Sequence, residues 1–335
     1  MAKRRLTRQQ QERIRAIQER RREKVQQRAE EALAAVDSAA HLEGTVVARH
    51  GQNLVVTDPQ GSYVHCLSRQ NIGQVVCGDQ VVWQPTQDSQ GVVTAILHRQ
   101  SALIRPNFSG EARALAANIS QIVIVLAPEP APSPYLVDQY LVAAERIGVT
   151  TLIALNKRDL MNDSQMATFN DDFGHYPEIG YPLVSISAKF EHGLDPLIER
   201  LVDQTSILVG QSGVGKSSLV KALLPDIEIQ IGRLSAASGQ GRHTTSATTL
   251  YQLPSGGRLI DSPGVRSFRL GALSEEELAS GFIEFRRYLG HCRFSNCSHQ
   301  HEPGCALQAA VQAGEIHPQR LANYLHMAKG LSTQP

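Results

Sequence analysis

The sequence predicts a multidomain α/β chain: a small closed β-barrel, then a parallel sheet covered by helices on both faces, then a helical C-terminal domain organised by a metal. Three observations carry this. Five short β-rich runs separated by turn signals fall between His41 and about Ile104. From about Ser120 continuous apolar runs alternate with helical stretches. Cysteines and histidines crowd together between 291 and 305.

At 335 residues the chain suits two or three domains, each able to bury a core. Its formal net charge is only +1, from 33 basic and 32 acidic side chains, so total charge does not announce a nucleic-acid partner, but its distribution does. The first 31 residues, "MAKRRLTRQQQERIRAIQERRREKVQQRAEE", carry many arginines and almost no apolar stripe, and a basic arm over 1–40 is expected as a solvated helix or a disordered segment. No apolar h-region follows the charged N-terminus, so no secretory signal is read. The longest apolar run, "IVIVLA" at 122–127, is far below the roughly 20 residues a bilayer span requires. Five cysteines, three of them close to the C-terminus, argue against a disulfide framework and for a reduced compartment with a metal site. A cytoplasmic protein without membrane contact is expected.

In the barrel region, 41–104, the runs "GTVVARHG", "QNLVVTDPQG", "SYVHCLSR", "DQVVWQP" and "GVVTAILHR" are five strands in about sixty residues. They fit an OB-fold, with an SH3-like barrel as the alternative. Cys66 and Cys77 sit in strand-like context and read as small core residues. Over 105–272, "QIVIVLAP", "TTLIALNK", "YPLVSISAK" and "TSILVG" are buried strands, and "PYLVDQYLVAAERIG" and "LDPLIERLVDQ" are the helices between them. In the C-terminal domain, 273–335, Ser274 and Glu277 have capping-box spacing, and the reading is a helix from Ser274 to Leu289, with another from about Gln319 to Lys329.

Chemistry enters at "GQSGVGKSS", residues 210–218, which matches G-x-x-x-x-G-K-[ST]. It follows a strand and opens a helix, as a phosphate loop must. Gly210, Gln211, Ser212, Gly213, Val214 and Gly215 would turn their amides toward phosphates. Lys216 would neutralise the β and γ groups, Ser217 would place a hydroxyl on Mg²⁺, and Ser218 continues the helix N-terminus.

The base is chosen by "NKRD" at 156–159. Guanine offers N1–H and an exocyclic amine side by side, a pair that one carboxylate accepts and adenine lacks, so Asp159 is the selector. Asn156 would tie this loop to the phosphate loop, and the aliphatic stem of Lys157 would cover the ring. "SAK" follows another strand, placing Ser187, Ala188 and Lys189 at the base, with the Ala188 amide able to donate to guanine O6. "DSPG" ends a further strand, with Asp261 supporting Mg²⁺ and the Gly264 amide facing the γ-phosphate. In "GRHTTS", Thr245, or less favourably Thr244, would close over Mg²⁺. All the parts of a GTPase are present, but the base readers precede the phosphate loop, giving the order four, five, one, two, three. This is a circular permutation, which a sheet with neighbouring surface termini tolerates.

The position after the D-x-x-G glycine, where many GTPases orient water with glutamine, holds Val265. Intrinsic hydrolysis should therefore be slow unless another group completes the site, and His243 is the best candidate within the chain. "CRFSNCSHQHEPGC" offers Cys292, Cys297 and Cys305 with His299, His291 or His301 as nitrogen ligand. Three thiolates and an imidazole close a tetrahedral Zn²⁺ shell, which makes the site structural.

The barrel, "NKRD", "SAK", "GQSGVGKSSL", "GRHTT", "DSPGVRSF" and the cysteine cluster, in that order, resemble the RsgA (YjeQ) family of circularly permuted, small-ribosomal-subunit-dependent GTPases. The resemblance spans nearly the whole chain. It implies GTP hydrolysis stimulated by the small ribosomal subunit and its rRNA, a role in late maturation of that subunit, His299 as the fourth zinc ligand, and His243 as the residue that positions water. A monomer is expected. A non-enzymatic RNA-binding module with a purely structural nucleotide is the competing class, and a GTPase acting on tRNA is the third.

Overall fold

The computed structural model describes residues 41–86, 90–106, 112–190, 192–228, 230–231, 234, 248–262 and 273–332. The expected arm over 1–40 lies outside the described residues.

Strands β1 (Leu42–His50), β2 (Asn53–Thr57), β3 (Tyr63–Ser68), β4 (Gln80–Pro85) and β5 (Gln90–Ile96) coincide with the five runs read from the sequence. They pair in the order β1-β2-β3-β5-β4 and close through β1–β4. The β3–β5 contact is parallel and the others are antiparallel. That parallel contact requires a chain excursion between β3 and β4, and it selects the OB arrangement over a meandering SH3-like barrel. Inside are Val46, Leu54, Val56, Cys66, Val75, Val81, Trp83 and Val93. Gly91 is dictated by the single tryptophan, because a Cβ there would lie 2.5 Å from Trp83 Cε3 and 2.8 Å from Cys66 Sγ. Cys66 and Cys77 are buried at 0% and 2% exposure, and burial holds both thiols well above their usual pKa, so they are inert core residues.

A hairpin of β6 (Ala102–Pro106) and β7 (Ala112–Ala117) forms a separate two-stranded sheet beyond the barrel. Residues 104 and 105 both belong to β6. The alanine-rich "ARALAA" of β7 has low strand propensity, so its pairing is set by tertiary context.

The second layer system contains β8 (Gln121–Leu126), α1 (Pro134–Ile147), β9 (Thr150–Leu155), α2 (Asp163–Phe173), α3 (Tyr176–Ile179), β10 (Leu183–Ser185), α4 (Asp195–Leu201), β11 (Thr205–Val209), α5 (Lys216–Leu223), β12 (Thr249–Gln252) and β13 (Arg258–Asp261). Its strand order is β10-β9-β8-β11-β13-β12. Only β12 runs antiparallel to its neighbour. All six residues of β8 are buried, as a central strand covered on both faces demands. Helix α1 starts where Ser133 accepts from the Leu136 amide with Pro134 in the first turn, and it stops at Gly148 in the left-handed region. One bridge, Ala48 to Thr249, joins the barrel to β12.

The C-terminal part holds α6 (Glu275–Ser280), α7 (Ala306–Gln312) and α8 (Pro318–Ser332). The capping box of Ser274 and Glu277 forms as expected. The helix does not continue to Leu289, however. It ends at Gly281, where a Cβ would press on Val142 Cγ1 at 2.7 Å, and a 3-10 turn at Ile283–Phe285 follows. Breaking the helix there sends both Phe282 and Phe285 into the core with Leu307, Ile316 and Tyr324. Among the described residues no helix is long and apolar enough to cross a membrane.

Candidate nucleotide site and metal cluster

Strand β11 delivers the chain to Gly210, and α5 takes it up at Lys216. Gly215 has φ +96°, and a Cβ on it would overlap the Asn156 side-chain amide. A side chain at Gly215 would therefore both strain the turn and push the Asn156 loop away. Lys216 Nζ donates to the carbonyls of Gly210 at 2.7 Å and Gln211 at 2.6 Å, so its ammonium lies across the mouth of the loop. Val214 is buried and anchors the loop, whereas Ser212, Ser217 and Ser218 face solvent.

The base-reading segment follows β9, next to β8 and one strand removed from β11. Asn156 is 2% exposed and donates from Nδ2 to the Val214 carbonyl at 2.9 Å. Lys157 takes the left-handed conformation, φ +59°, and Nζ donates to the Gly213 carbonyl at 2.8 Å. Two side chains thus clasp the phosphate loop from the base side. Asp159 is nearly buried, its side chain 8% exposed, and its Oδ1 accepts from Ser187 Oγ at 2.6 Å while Lys189 Nζ lies 3.9 Å from Oδ2. The Ser187 hydroxyl also receives the Lys189 amide at 3.3 Å. These contacts hold the carboxylate in one direction, a preorganised acceptor. The Asn156 Oδ1 is buried without a partner in the protein, an orphaned acceptor within the nucleotide cradle.

Asp261 ends β13, which is hydrogen-bonded directly to β11. The hydroxyls of Thr248 and Ser262 lie 3.0 Å apart and tie the start of β12 to the residue after Asp261. Because β11 and β13 are parallel neighbours, Gly210 at the start of the loop and Asp261 leave the sheet at the same end. His243, Thr244, Thr245, Gly264 and Val265 lie outside the described residues. Sequence reasoning missed Tyr140, a buried residue of α1. Burial raises its phenol pKa, and a hydrogen bond with the Gly210 backbone works in the opposite direction. A tyrosine in an amphipathic helix gives no signal of such a contact.

At the other end of the chain, Cys292, Cys297, His299 and Cys305 bring one donor atom each within 4.8 Å of one another. Cys292 Sγ lies 3.5 Å from His299 Nδ1 and 4.0 Å from Cys305 Sγ, and His299 Nδ1 lies 3.4 Å from Cys305 Sγ. The edges of a tetrahedral zinc shell with sulfur and nitrogen ligands are about 3.5–3.8 Å, close to the separations among Cys292, His299 and Cys305, and with Cys297 within 4.8 Å the four donors make a set compatible with the ion. His299 reaches inward because its backbone is left-handed, φ +62°. His291 and His301 remain on the exposed surface.

A sequence model of the RsgA GTPase family matches residues 96–271. The small ribosomal subunit biogenesis GTPase RsgA of Hahella chejuensis is 45% identical over 341 residues, covering 100% of this chain and 98% of that protein. The protein of the same name from Pseudomonas aeruginosa PAO1 is 46% identical, covering 98% and 97%. Among solved structures, YjeQ from Thermotoga maritima superposes with a TM-score of 0.74 at 31% identity, covering 88% of this chain and 100% of that one. YloQ, titled a circularly permuted GTPase, superposes with a TM-score of 0.71 at 29% identity, covering 88% and 97%. With the barrel, the permuted sheet and the clasped phosphate loop all in place, the chain belongs to the RsgA GTPase family and is a circularly permuted GTP hydrolase.

Proposed function

We propose that this chain couples GTP hydrolysis to late maturation of the small ribosomal subunit, binding the subunit through its rRNA and being stimulated by it. The observation that carries the nucleotide half is the Asp159 carboxylate, nearly buried and pre-aligned by Ser187, in a loop whose Asn156 and Lys157 hold the phosphate loop. The names of the relatives, small ribosomal subunit biogenesis GTPases, support the partner.

In this reading Asp159 accepts the N1–H and amine of guanine, the Ala188 amide donates to O6, and the stems of Lys157 and Lys189 flank the ring. The 210–218 loop wraps the phosphates, and Lys216 exchanges its two carbonyl partners for β and γ oxygens. Ser217, Asp261 and Thr245 would hold Mg²⁺, which supplies charge neutralisation across the β and γ groups. The Gly264 amide senses the γ-phosphate. His243 orients the attacking water, with Val265 leaving that task open. Cys292, Cys297, His299 and Cys305 hold one structural zinc. The chain is read as an arm at 1–40, a barrel at 41–104, a nucleotide domain at 105–272 and a zinc domain at 273–335, with the β6–β7 hairpin as the joint between barrel and sheet. It acts as a cytoplasmic monomer.

The test is GTP turnover by the chain alone and with purified small subunits, large subunits or tRNA. Stimulation specific to small subunits is expected. Equal rates in all four mixtures would remove the partner, and stimulation by tRNA alone would move the function to that class.

A further inference from the structure

Outside the nucleotide site and the metal cluster, the barrel carries a cleft of about 200 Å³ between the β1–β2 turn and the segment after β3. Arg49, Gln52, Ser68 and Arg69 line it with Gly51 and Gly73. We propose that this cleft is a phosphate-binding pocket in which Arg69 and Arg49 hold one backbone phosphate of a bound RNA strand.

Arg69 lines the cleft. Its Nε is buried, yet it has no hydrogen-bond partner. A buried guanidinium N–H without an acceptor is costly, and such a group is the mark of a missing oxygen ligand. The backbone of Arg69 is fixed, since its amide donates to Val93 O at 3.2 Å and its carbonyl receives Ser68 Oγ at 3.2 Å. The backbone that carries this side chain is therefore held at the pocket wall. Arg49 is fixed by its other edge, with Nε donating to Gly51 O at 2.9 Å and Nη1 to Val75 O at 2.5 Å. Those contacts leave the Nη2 side of its fork for an incoming ligand.

Charge supports the same ligand. Among the described residues no carboxylate lines the cleft, and the carboxylate that acts on Arg49, Asp79, is engaged by Arg99 at 2.6 and 2.8 Å. Burial and then the neighbouring charge of Arg113 lower the Arg49 pKa, so positive charge here is crowded and partly dehydrated. An anion relieves both strains. Phosphate suits the geometry, because the planar fork of arginine matches two phosphate oxygens. A strand of RNA is the fitting source: the cleft is open to solvent at exposed Gly51 and Gly73, and neither glycine presents a side chain against an approaching backbone.

The assignment rests on the RNA partner proposed above, so the experiment has two arms. In the first, wild type and Arg69→Gln are sedimented with purified small subunits across a salt series. The variant is expected to bind more weakly, with the slope of log K against log salt reduced by about 1, the signature of one lost phosphate contact. Its GTP turnover without subunits is expected to stay at the wild-type value and its melting temperature not to fall, since the substitution removes an unpartnered buried donor. Arg69→Lys, which keeps the charge but not the fork, should recover only part of the affinity. In the second arm, the Arg69 Nε–H resonance of the free full-length protein is followed while inorganic phosphate is added. A saturable shift, lost in Arg49→Ala, is expected. An unchanged salt slope in Arg69→Gln overturns the RNA assignment, and phosphate saturation alongside that unchanged slope would give the pocket to the free ion. If wild type itself does not pellet with subunits, the partner reading fails on its own. The second arm then decides the pocket, which an unmoved Arg69 resonance would remove.

Discussion

Asp159, the base selector proposed above, shows how much a carboxylate owes to its setting. A carboxylate free to rotate would accept donors from many bases, but this one is half engaged by Ser187 Oγ at 2.6 Å and almost excluded from water. Asp159→Asn is expected to weaken GTP and admit xanthosine triphosphate, since an amide donates to the carbonyl that replaces the exocyclic amine. Competition binding with the two nucleotides checks it, and retention of the wild-type preference would deny Asp159 the base. Ser187→Ala removes a hydrogen bond to a charged acceptor, a loss of about 1.5–3 kcal/mol. GTP affinity should therefore fall roughly tenfold or more, with turnover at saturation little changed. The Asp159 motif was legible in the sequence. The Ser187 contact was not, because the serine lies 28 residues away and reaches the carboxylate only when β9 and β10 pair.

At the scale of elements, α1 and α8 are fastened by a buried polar hub. Arg320, fully buried, pairs with Asp138 Oδ1 at 2.5 Å and holds Glu284 with two bonds at 2.7 and 2.9 Å. Tyr176 and Asn323 also donate to Asp138, each at 2.6 Å, and the guanidinium lies 4.4 Å from the Phe282 ring centroid. Burial works against the Arg320 charge, but Asp138 and Glu284 outweigh it and push its pKa up. Arg320→Ala should cost about 3–5 kcal/mol in denaturant unfolding, because it strands buried carboxylates. Adding Asp138→Asn should recover part of that loss, and no recovery would mean that packing rather than charge is at stake. Beside the hub, His175 stacks on His317 with ring centroids 4.0 Å apart and planes within 2°. Burial, then His317 and then Arg320 lower the His175 pKa to about 4. An unfolded histidine takes its proton near pH 6.5, so between about 6.5 and 4 only the unfolded chain gains one. Stability is therefore full above pH 6.5 and falls as the pH drops through that window. His175→Phe should flatten this decline in melting temperature relative to wild type, and an identical pH profile would sink the account. None of the hub was visible in the sequence, since a single arginine in an amphipathic stretch reads as surface.

For the whole molecule, the permutation leaves the barrel before the parallel sheet in the chain and the C-terminal helices after it. The barrel reaches β12 through the Ala48–Thr249 bridge, and β12 pairs with β13, the strand that ends in Asp261. The zinc part follows the same strand in the chain and packs on α1. The strand end at Asp261 is thus two pairing steps from the barrel. The GTP-analogue form is expected to bind small subunits more tightly than the GDP form, and subunits to raise analogue affinity by the same factor, as linkage requires. Equal pelleting in both nucleotide states would refute the switch.

What the sequence determined alone is what spacing encodes. A phosphate loop, a base reader, a metal quartet and alternating strands are local patterns, and each carries its chemistry within about a dozen residues. Hence the five barrel strands could be read from short β-rich runs between turn signals, the order of the sheet motifs from "NKRD" and "GQSGVGKSS", and the cysteine cluster from "CRFSNCSHQHEPGC". The tertiary structure decided whatever depends on partners distant in the chain. It chose OB closure through the parallel β3–β5 pair, strand pairing for the alanine-rich β7, and the early end of α6 at Gly281. It also brought His299 rather than His291 or His301 to the thiols, and set Asp138 against an arginine 182 residues away. Propensity and motif are properties of a short window. Burial and charge pairing depend on which surfaces the folded chain brings together, and no window of the sequence contains both sides of those contacts.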